Sequence, residues 1–170
     1  MYRRFSKREQ AFIRRISKLD SRVEAHVLFK EVIERTNVNY WNASGRHFKV
    51  PAELSSKERE EAKKEMIEIA LLIEYLEQND YIVFDDWQPK TVHNFPYGNS
   101  TNMTNEAIPE KVADIFDRCL ERHVFFTQRL LDLVKDNFKT YEEKVLRTAR
   151  WTLIIASITL IATVAIAIIK

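Results

Sequence analysis

The sequence has very few of the residues that interrupt helices, with 2 glycines and 4 prolines among 170 residues. Because these two residues are the least favourable in a helix interior, their scarcity favours a mostly helical chain. Cysteine is also scarce, with 1 in the chain. A single cysteine excludes an internal disulfide and a zinc framework of several thiolates, and it suits a reducing compartment. Cys119 lies among apolar residues at helical spacing, so we predict a core position for it.

The chain also lacks an excess of either charge. The formal net charge is +2, from 27 Lys and Arg against 25 Asp and Glu, so composition alone implies no nucleic-acid partner. Basic residues do cluster near the start, at Arg3, Arg4, Lys7, Arg8, Arg14, Arg15 and Lys18. This pattern suits anionic lipid heads or RNA, but a solvated helix face is the preferred interpretation. We predict no cofactor and no metal site, and no small-molecule substrate is evident.

The C-terminal end has no charge, proline or glycine from Trp151 to Ile169. A helix of that length spans about 29 Å, close to the thickness of a bilayer's hydrocarbon core. We therefore predict two regions, a cytoplasmic helical domain at 1–149 and a transmembrane helix at 150–170.

The charges that flank this apolar run predict its direction. Lys144, Arg147 and Arg150 precede it, whereas only Lys170 follows it. Since basic residues favour the cytoplasmic side, the N-terminal body is expected to stay in the cytoplasm. The predicted location is the inner (cytoplasmic) membrane, with a single pass.

Small residues share one face of the apolar run. They are Thr152, Ala156, Thr159, Thr163 and Ala167, spaced by four, three, four and four residues. Such a stripe permits close helix packing, so we predict a homo-oligomer that could also enclose a narrow path. In the alternative, the helix is solitary and its hydroxyls bond back to their own backbone.

Apolar residues recur at helical spacing in three stretches of the body. The stretches open at a capping box from Ser6 to Glu9, at Ser55 or Ser56, and at Pro109. Their apolar positions include Phe12, Ile16, Leu19, Val23 and Val27, then Met66, Ile69, Leu72, Ile73 and Leu76, then Val112, Ile115, Phe116, Cys119, Leu120, Leu130, Leu131, Val134 and Phe138. The run 81–84 is strand-like but stands alone, so we predict no sheet. The predicted fold class is an all-α helical bundle with a C-terminal transmembrane helix.

Two segments have no periodicity and are predicted to be loops. Residues 37–53 are unusually aromatic and are expected to pack on the body or on a partner. Residues 85–106 are long and polar, which is typical of a functional or mobile loop.

One motif carries candidate chemistry, Arg118 followed after four residues by His123. This R-x4-H spacing resembles the catalytic motif of the HEPN superfamily of helical ribonucleases. There, the histidine would act as general acid or base and the arginine would hold phosphate oxygens. On an ideal helix the two side chains diverge by roughly 140°. The alternative is structural, with Arg118 paired with Asp114 and His123 packed at the edge of the bundle.

A small helical body, one membrane span and this divergent motif together resemble the small membrane accessory proteins of type VI-B CRISPR systems. The position after Arg118 is Cys119, where active HEPN nucleases usually have a polar residue. The resemblance implies an HEPN-like bundle in an antiviral accessory protein that oligomerises into a membrane pore, perturbs the membrane potential and enhances RNA-targeting interference. An RNA-guided effector complex or RNA is then a possible partner. The alternatives are a tail-anchored adaptor and a membrane-tethered HEPN ribonuclease, so enzymatic activity stays open.

Overall fold

The computed structural model describes residues 4–43, 45–85, 95–96, 102–139 and 141–169, and in the last helix the side chains of 145–161. Helices account for 59% of the structure and strands for 17%, and the strands form two three-stranded antiparallel sheets. The fold is therefore mixed α/β. The prediction of an all-α, HEPN-like bundle is wrong, because short strands pair over long sequence separations.

Six α-helices are described. They are α1 (Lys7–Ile16), α2 (Lys30–Thr36), α3 (Ser56–Gln78), α4 (Glu110–Glu121), α5 (Gln128–Lys135) and α6 (Tyr141–Ile169), with a 3-10 turn at Ala25–Phe29 before α2. The capping box expected at Ser6 is confirmed, since its hydroxyl accepts a hydrogen bond from the backbone N–H of Glu9. Of the two residues expected to cap α3, Ser55 is the cap, and it forms a capping box with Glu58.

The described strands form two separate sheets of three strands each. Sheet one contains β1 (Arg22–Glu24), β4 (Ile82–Phe84) and β6 (His123–Phe126), in the order β1-β6-β4. Sheet two contains β2 (Asn39–Trp41), β3 (His47–Pro51) and β5 (Met103–Ala107), in the order β2-β3-β5. The predicted loop 37–53 is thus largely a hairpin, and the run 81–84 belongs to a real sheet. The predicted loop 85–106 is described only in part, and its end belongs to β5.

Two predicted helices are shorter in the structure. The first ends at Ile16, and Val23 lies instead on β1, where it pairs with Val124 of β6. The helix predicted beyond Pro109 is divided at 123–126, which forms β6. Both differences have one cause, because β1 and β6 satisfy each other's backbone hydrogen bonds across about a hundred residues.

Aromatic rings fill the centre of the core. The Phe116 ring of α4 lies 4.9 Å from Phe29, 5.0 Å from Tyr40 and 5.3 Å from Phe48, measured between ring centroids. Phe95 stacks on Phe29 with centroids 5.1 Å apart. All five side chains are fully buried. The rings therefore join α4 to the 3-10 turn and to both strands of the β2–β3 hairpin.

The expected membrane span requires correction. Within the described residues, no helix combines the length and the apolar character that crossing a membrane demands. The transmembrane helix predicted at 150–170 and the single-pass location in the inner membrane are therefore not supported.

The aromatic core provides a stability test. We expect Phe116→Ala to lower the free energy of unfolding by about 3–5 kcal/mol, because the cavity would lie between several packed rings. Phe125→Ala is the comparison, since the Phe125 side chain is 36% exposed. Phe125→Ala should lower the free energy of unfolding by about 1 kcal/mol. Urea unfolding of the two variants measures the difference, and equal losses would contradict the central position of Phe116.

Candidate functional site

The two residues of the R-x4-H motif contact different carboxylates. Arg118 lies on α4, and its Nη1 donates a hydrogen bond to Oε2 of Glu77 on α3 at 2.7 Å. Its guanidinium carbon also lies 5.9 Å from the ring centroid of Phe84. Asp114, the partner expected from the sequence, is bound instead by Arg46 at 2.7 Å. Arg118 thus joins two helices through an ion pair.

His123 is the first residue of strand β6 and not a helical residue. Helix α4 ends at Glu121, and Arg122 is already extended, with φ −124° and ψ 159°. The backbone N–H of His123 donates to Oδ1 of Asp85 at 3.0 Å. Its Nδ1 lies 3.6 Å from the other oxygen of the same carboxylate. The divergence expected for an ideal helix therefore does not apply.

Strand pairing places His123 on the outer face of sheet one. Alternate residues of a strand point to opposite faces, and Val124 is buried while Phe125 is partly exposed. Across the three strands, Arg22 is in register with Phe125, and Phe125 is in register with Val83. In the next row, Glu24 is opposite His123. Asp85 directly follows β4 and reaches His123 from the other side.

A second histidine lies close to this row. His26 is in the 3-10 turn after β1, and its Nδ1 lies 3.3 Å from Oε2 of Glu24. Arg22 donates to Oδ2 of Asp85 at 3.0 Å, so the arginine fixes the carboxylate that faces His123. We call these five residues the histidine cluster: Arg22, Glu24, His26, Asp85 and His123.

The two histidines have different surroundings. The His26 side chain is only 14% exposed, and burial lowers its pKa because the charged form loses water. The Glu24 carboxylate opposes this shift, and the neighbouring His123 imidazole adds to it. At neutral pH His26 is therefore an uncharged base with a carboxylate beside it.

The predicted core position of Cys119 is confirmed. Its side chain is fully buried, and burial raises the pKa of the thiol well above its usual range. A thiol in that state is a poor nucleophile. Among the described residues, no group of three or more His, Cys, Asp or Glu side chains is placed to hold a metal ion.

A separate polar network surrounds Asp117 of α4. Tyr40 donates its hydroxyl to Asp117 at 2.7 Å, and burial together with that hydrogen bond raises the pKa of the tyrosine. Arg46 binds Asp117 at 2.7 Å and Asp114 at 2.7 Å. These contacts fasten the β2–β3 hairpin to α4, so Arg46 has a structural role.

The small-residue face of α6 lines a shallow groove of about 910 Å³. Its lining residues are Val145, Thr148, Ala149, Thr152, Leu153, Ala156, Ser157 and Leu160. The hydroxyls of Thr152 and Thr159 donate to backbone carbonyls one turn earlier, at 3.0 and 2.9 Å. These groups are therefore bonded within their own helix. The side chains of Thr163 and Ala167 lie outside the described residues.

Sequence reasoning found one member of the histidine cluster, His123, and missed the other four. Arg22, Glu24, His26 and Asp85 come from two distant segments, and only the pairing of β6 with β1 and β4 brings them together. A usable signal was present in residues 123–126, where valine and phenylalanine follow the histidine. Such residues favour strands, and an outward histidine would have suggested neighbours across a sheet.

Comparison with known protein families, curated proteins and solved structures finds no match to this chain. The resemblance to type VI-B accessory proteins therefore stays a prediction from the sequence.

The lowered pKa of His26 gives a prediction for the dependence of stability on pH. In the unfolded chain the histidine pKa is about 6.5, so the unfolded state binds more protons than the folded state below that pH. The contribution of His26 to stability is thus present above about pH 6.5 and is lost as pH falls through the folded pKa. We expect wild type to lose more unfolding free energy than His26→Gln between pH 7.5 and pH 5. Urea unfolding at both pH values tests this, and equal losses in the two proteins would exclude the effect.

Proposed function

We propose that this protein acts as a homo-oligomer assembled through α6, with its α/β body displayed for contact with other molecules. One observation carries the proposal, the exposure of large apolar side chains in the middle of α6, from Trp151 to Ile161. Leu153 is 70% exposed and Ile161 is 69% exposed, and Trp151, Ile154, Ile155, Ile158 and Leu160 are exposed as well.

Contiguous apolar surface of this kind marks an interaction site. Burying one leucine or isoleucine side chain contributes about 1.5–3 kcal/mol. Since these residues lie all round the helix, a bundle of several helices, which contacts each helix on two sides, buries more of them than a pair of helices does. We therefore infer an assembly of several helices and not a simple pair.

The face that points to the assembly's centre is expected to be the one with small side chains. Thr152 and Ala156 lie in the groove of α6, on a face where lining residues recur every three or four positions. That spacing suits side-by-side helix packing, and small residues allow the backbones to approach closely. Because the Thr152 hydroxyl is bonded to its own helix, the contact would depend on packing. Ile158 lies on the opposite side of the helix.

An accessory role beside an RNA-guided effector complex is supported only by the sequence resemblance, and it stays a prediction. We do not propose a membrane pore, because a pore depends on the transmembrane helix that the structure does not support. An adaptor role is compatible with self-assembly, since an oligomer displays several copies of one binding surface.

Cysteine cross-linking tests the arrangement of α6. The native Cys119 is fully buried, so a single added cysteine reports its own surroundings. We expect full-length Ala156→Cys to give covalent dimers with a short bis-maleimide reagent in intact cells. The matched variant Ile158→Cys should cross-link at least several-fold less, because its side chain points outward.

Wild type treated in parallel controls for reaction at Cys119. Equal cross-linking at both positions would refute the proposed inward face. Absence of cross-linked dimers with either variant, at normal expression, would refute assembly through α6.

A further inference from the structure

We propose that strand β5 pairs with β5 of a second copy, so that sheet two continues from one molecule into the next. The contact uses the backbone of residues 103–107, which lie at an edge of the sheet. It is separate from assembly through α6 and does not depend on it.

The register of β5 with β3 decides which backbone groups are left at the edge. The Ala52 N–H donates to the Asn102 carbonyl at 3.0 Å, in the same register as the strands that follow. Because bonded and non-bonded pairs alternate in an antiparallel ladder, Thr104 and Glu106 are the residues of β5 that bond to β3. The N–H and C=O groups that point away from β3 belong to Met103, Asn105 and Ala107.

These outward groups are accessible to another strand. Asn105 and Ala107 are exposed, and Met103 is partly exposed. In the part of the chain that the structure describes, β3 is the only strand that pairs with β5. An edge strand with unpaired backbone groups is a template for a further strand, and proteins often protect such an edge with proline or lysine. Strand β5 contains neither of these residues.

The residues around β5 limit the pairing to one segment. Asn102, directly before the strand, has a left-handed φ of 55°, and Pro109 follows with no N–H to donate. When two copies of β5 overlap fully in antiparallel orientation, Asn105 lies opposite Asn105 of the second copy. Met103 then lies opposite Ala107 of the second copy. In this register every outward N–H and C=O group of both strands has a partner, whereas a shift by two residues leaves some of them in water.

The side chains of β5 are compatible with the same register. Thr104 lies opposite Glu106 of the second copy, so no two like charges face each other. The Glu106 carboxylate also has cations of its own chain beside it, with Lys63 Nζ at 3.2 Å and Arg59 Nη1 at 4.0 Å. Its charge is therefore balanced where the second copy approaches.

The centre of the pair supports a second copy as the partner. Two asparagines meet there, and each amide can both donate and accept a hydrogen bond. A two-fold axis through Asn105 makes the contact isologous, which is the commonest arrangement in homo-oligomers. The strand is thus complementary to itself.

Disulfide formation in purified full-length protein tests the register. We expect Met103→Cys and Ala107→Cys, coexpressed with tags of different length, to form a disulfide heterodimer under a mild oxidant. Opposite residues of a bonded pair have Cα atoms about 5.5 Å apart, within the range that a disulfide bridges. In either variant alone, the two cysteines lie four residues out of register, roughly 14 Å apart. The heterodimer yield should therefore exceed each homodimer yield at least several-fold.

A charge at the centre of the pair provides a second test. Asn105→Asp, added to both cysteine variants, places two carboxylates opposite each other and should lower the heterodimer yield several-fold. Asn105→Asp on one copy with Asn105→Lys on the other should restore the yield. Asn102→Asp is the matched control, because Asn102 is also exposed but lies outside the strand, so the yield should not change. Urea unfolding verifies that all variants fold.

Two results would overturn the proposal. One is a heterodimer yield no higher than the homodimer yield of the single variants, and the other is a yield that Asn105→Asp does not change. Wild type oxidised in parallel controls for reaction at the buried Cys119. Cross-linking at Ala156 does not involve β5, so the two proposals fail separately.

Discussion

The pairing of β6 with two strands from distant parts of the chain is the constraint on which this structure depends. It brings residues 22–24, 82–84 and 123–126 into one sheet. Hydrogen bonds beyond the strands extend the pairing, from the Asp85 N–H to the His123 carbonyl at 3.1 Å and from the Ala25 N–H to the Arg122 carbonyl at 2.9 Å. Because Val124 faces the core, its neighbours on β6 must face outward. A shift of one residue would bury the histidine and expose the valine.

Helix α4 connects this sheet to the rest of the body. Its apolar side meets both the aromatic core and α3, and its polar side is fastened by ion pairs from Glu77 and Arg46. Polar residues that look chemically interesting in the sequence thus hold helices and a hairpin in place. The histidine cluster lies elsewhere, at the outer face of sheet one. A charged side chain on a helix is most simply explained by the opposite charge that the fold places beside it, as Arg118 is by Glu77.

The body and α6 differ in how far their apolar side chains are buried. The body buries its aromatic rings internally, whereas α6 leaves large aliphatic side chains exposed from Trp151 to Ile161. A separate chain or copy must cover such a surface for it to be stable in water. The apolar surface of α6 and the histidine cluster on sheet one are therefore separate features of one chain.

The sequence by itself determined the features that depend on local interactions. These include the start of α3 at its Ser55 capping box, the helical character of α6 and the burial of Cys119. A helix closes its hydrogen bonds within four residues, so its signal is contained in a short window. The tertiary structure alone decided the two sheets and the histidine cluster. Strands of three to five residues carry too little periodicity to identify, and the partners of β6 are about 40 and 100 residues away along the chain.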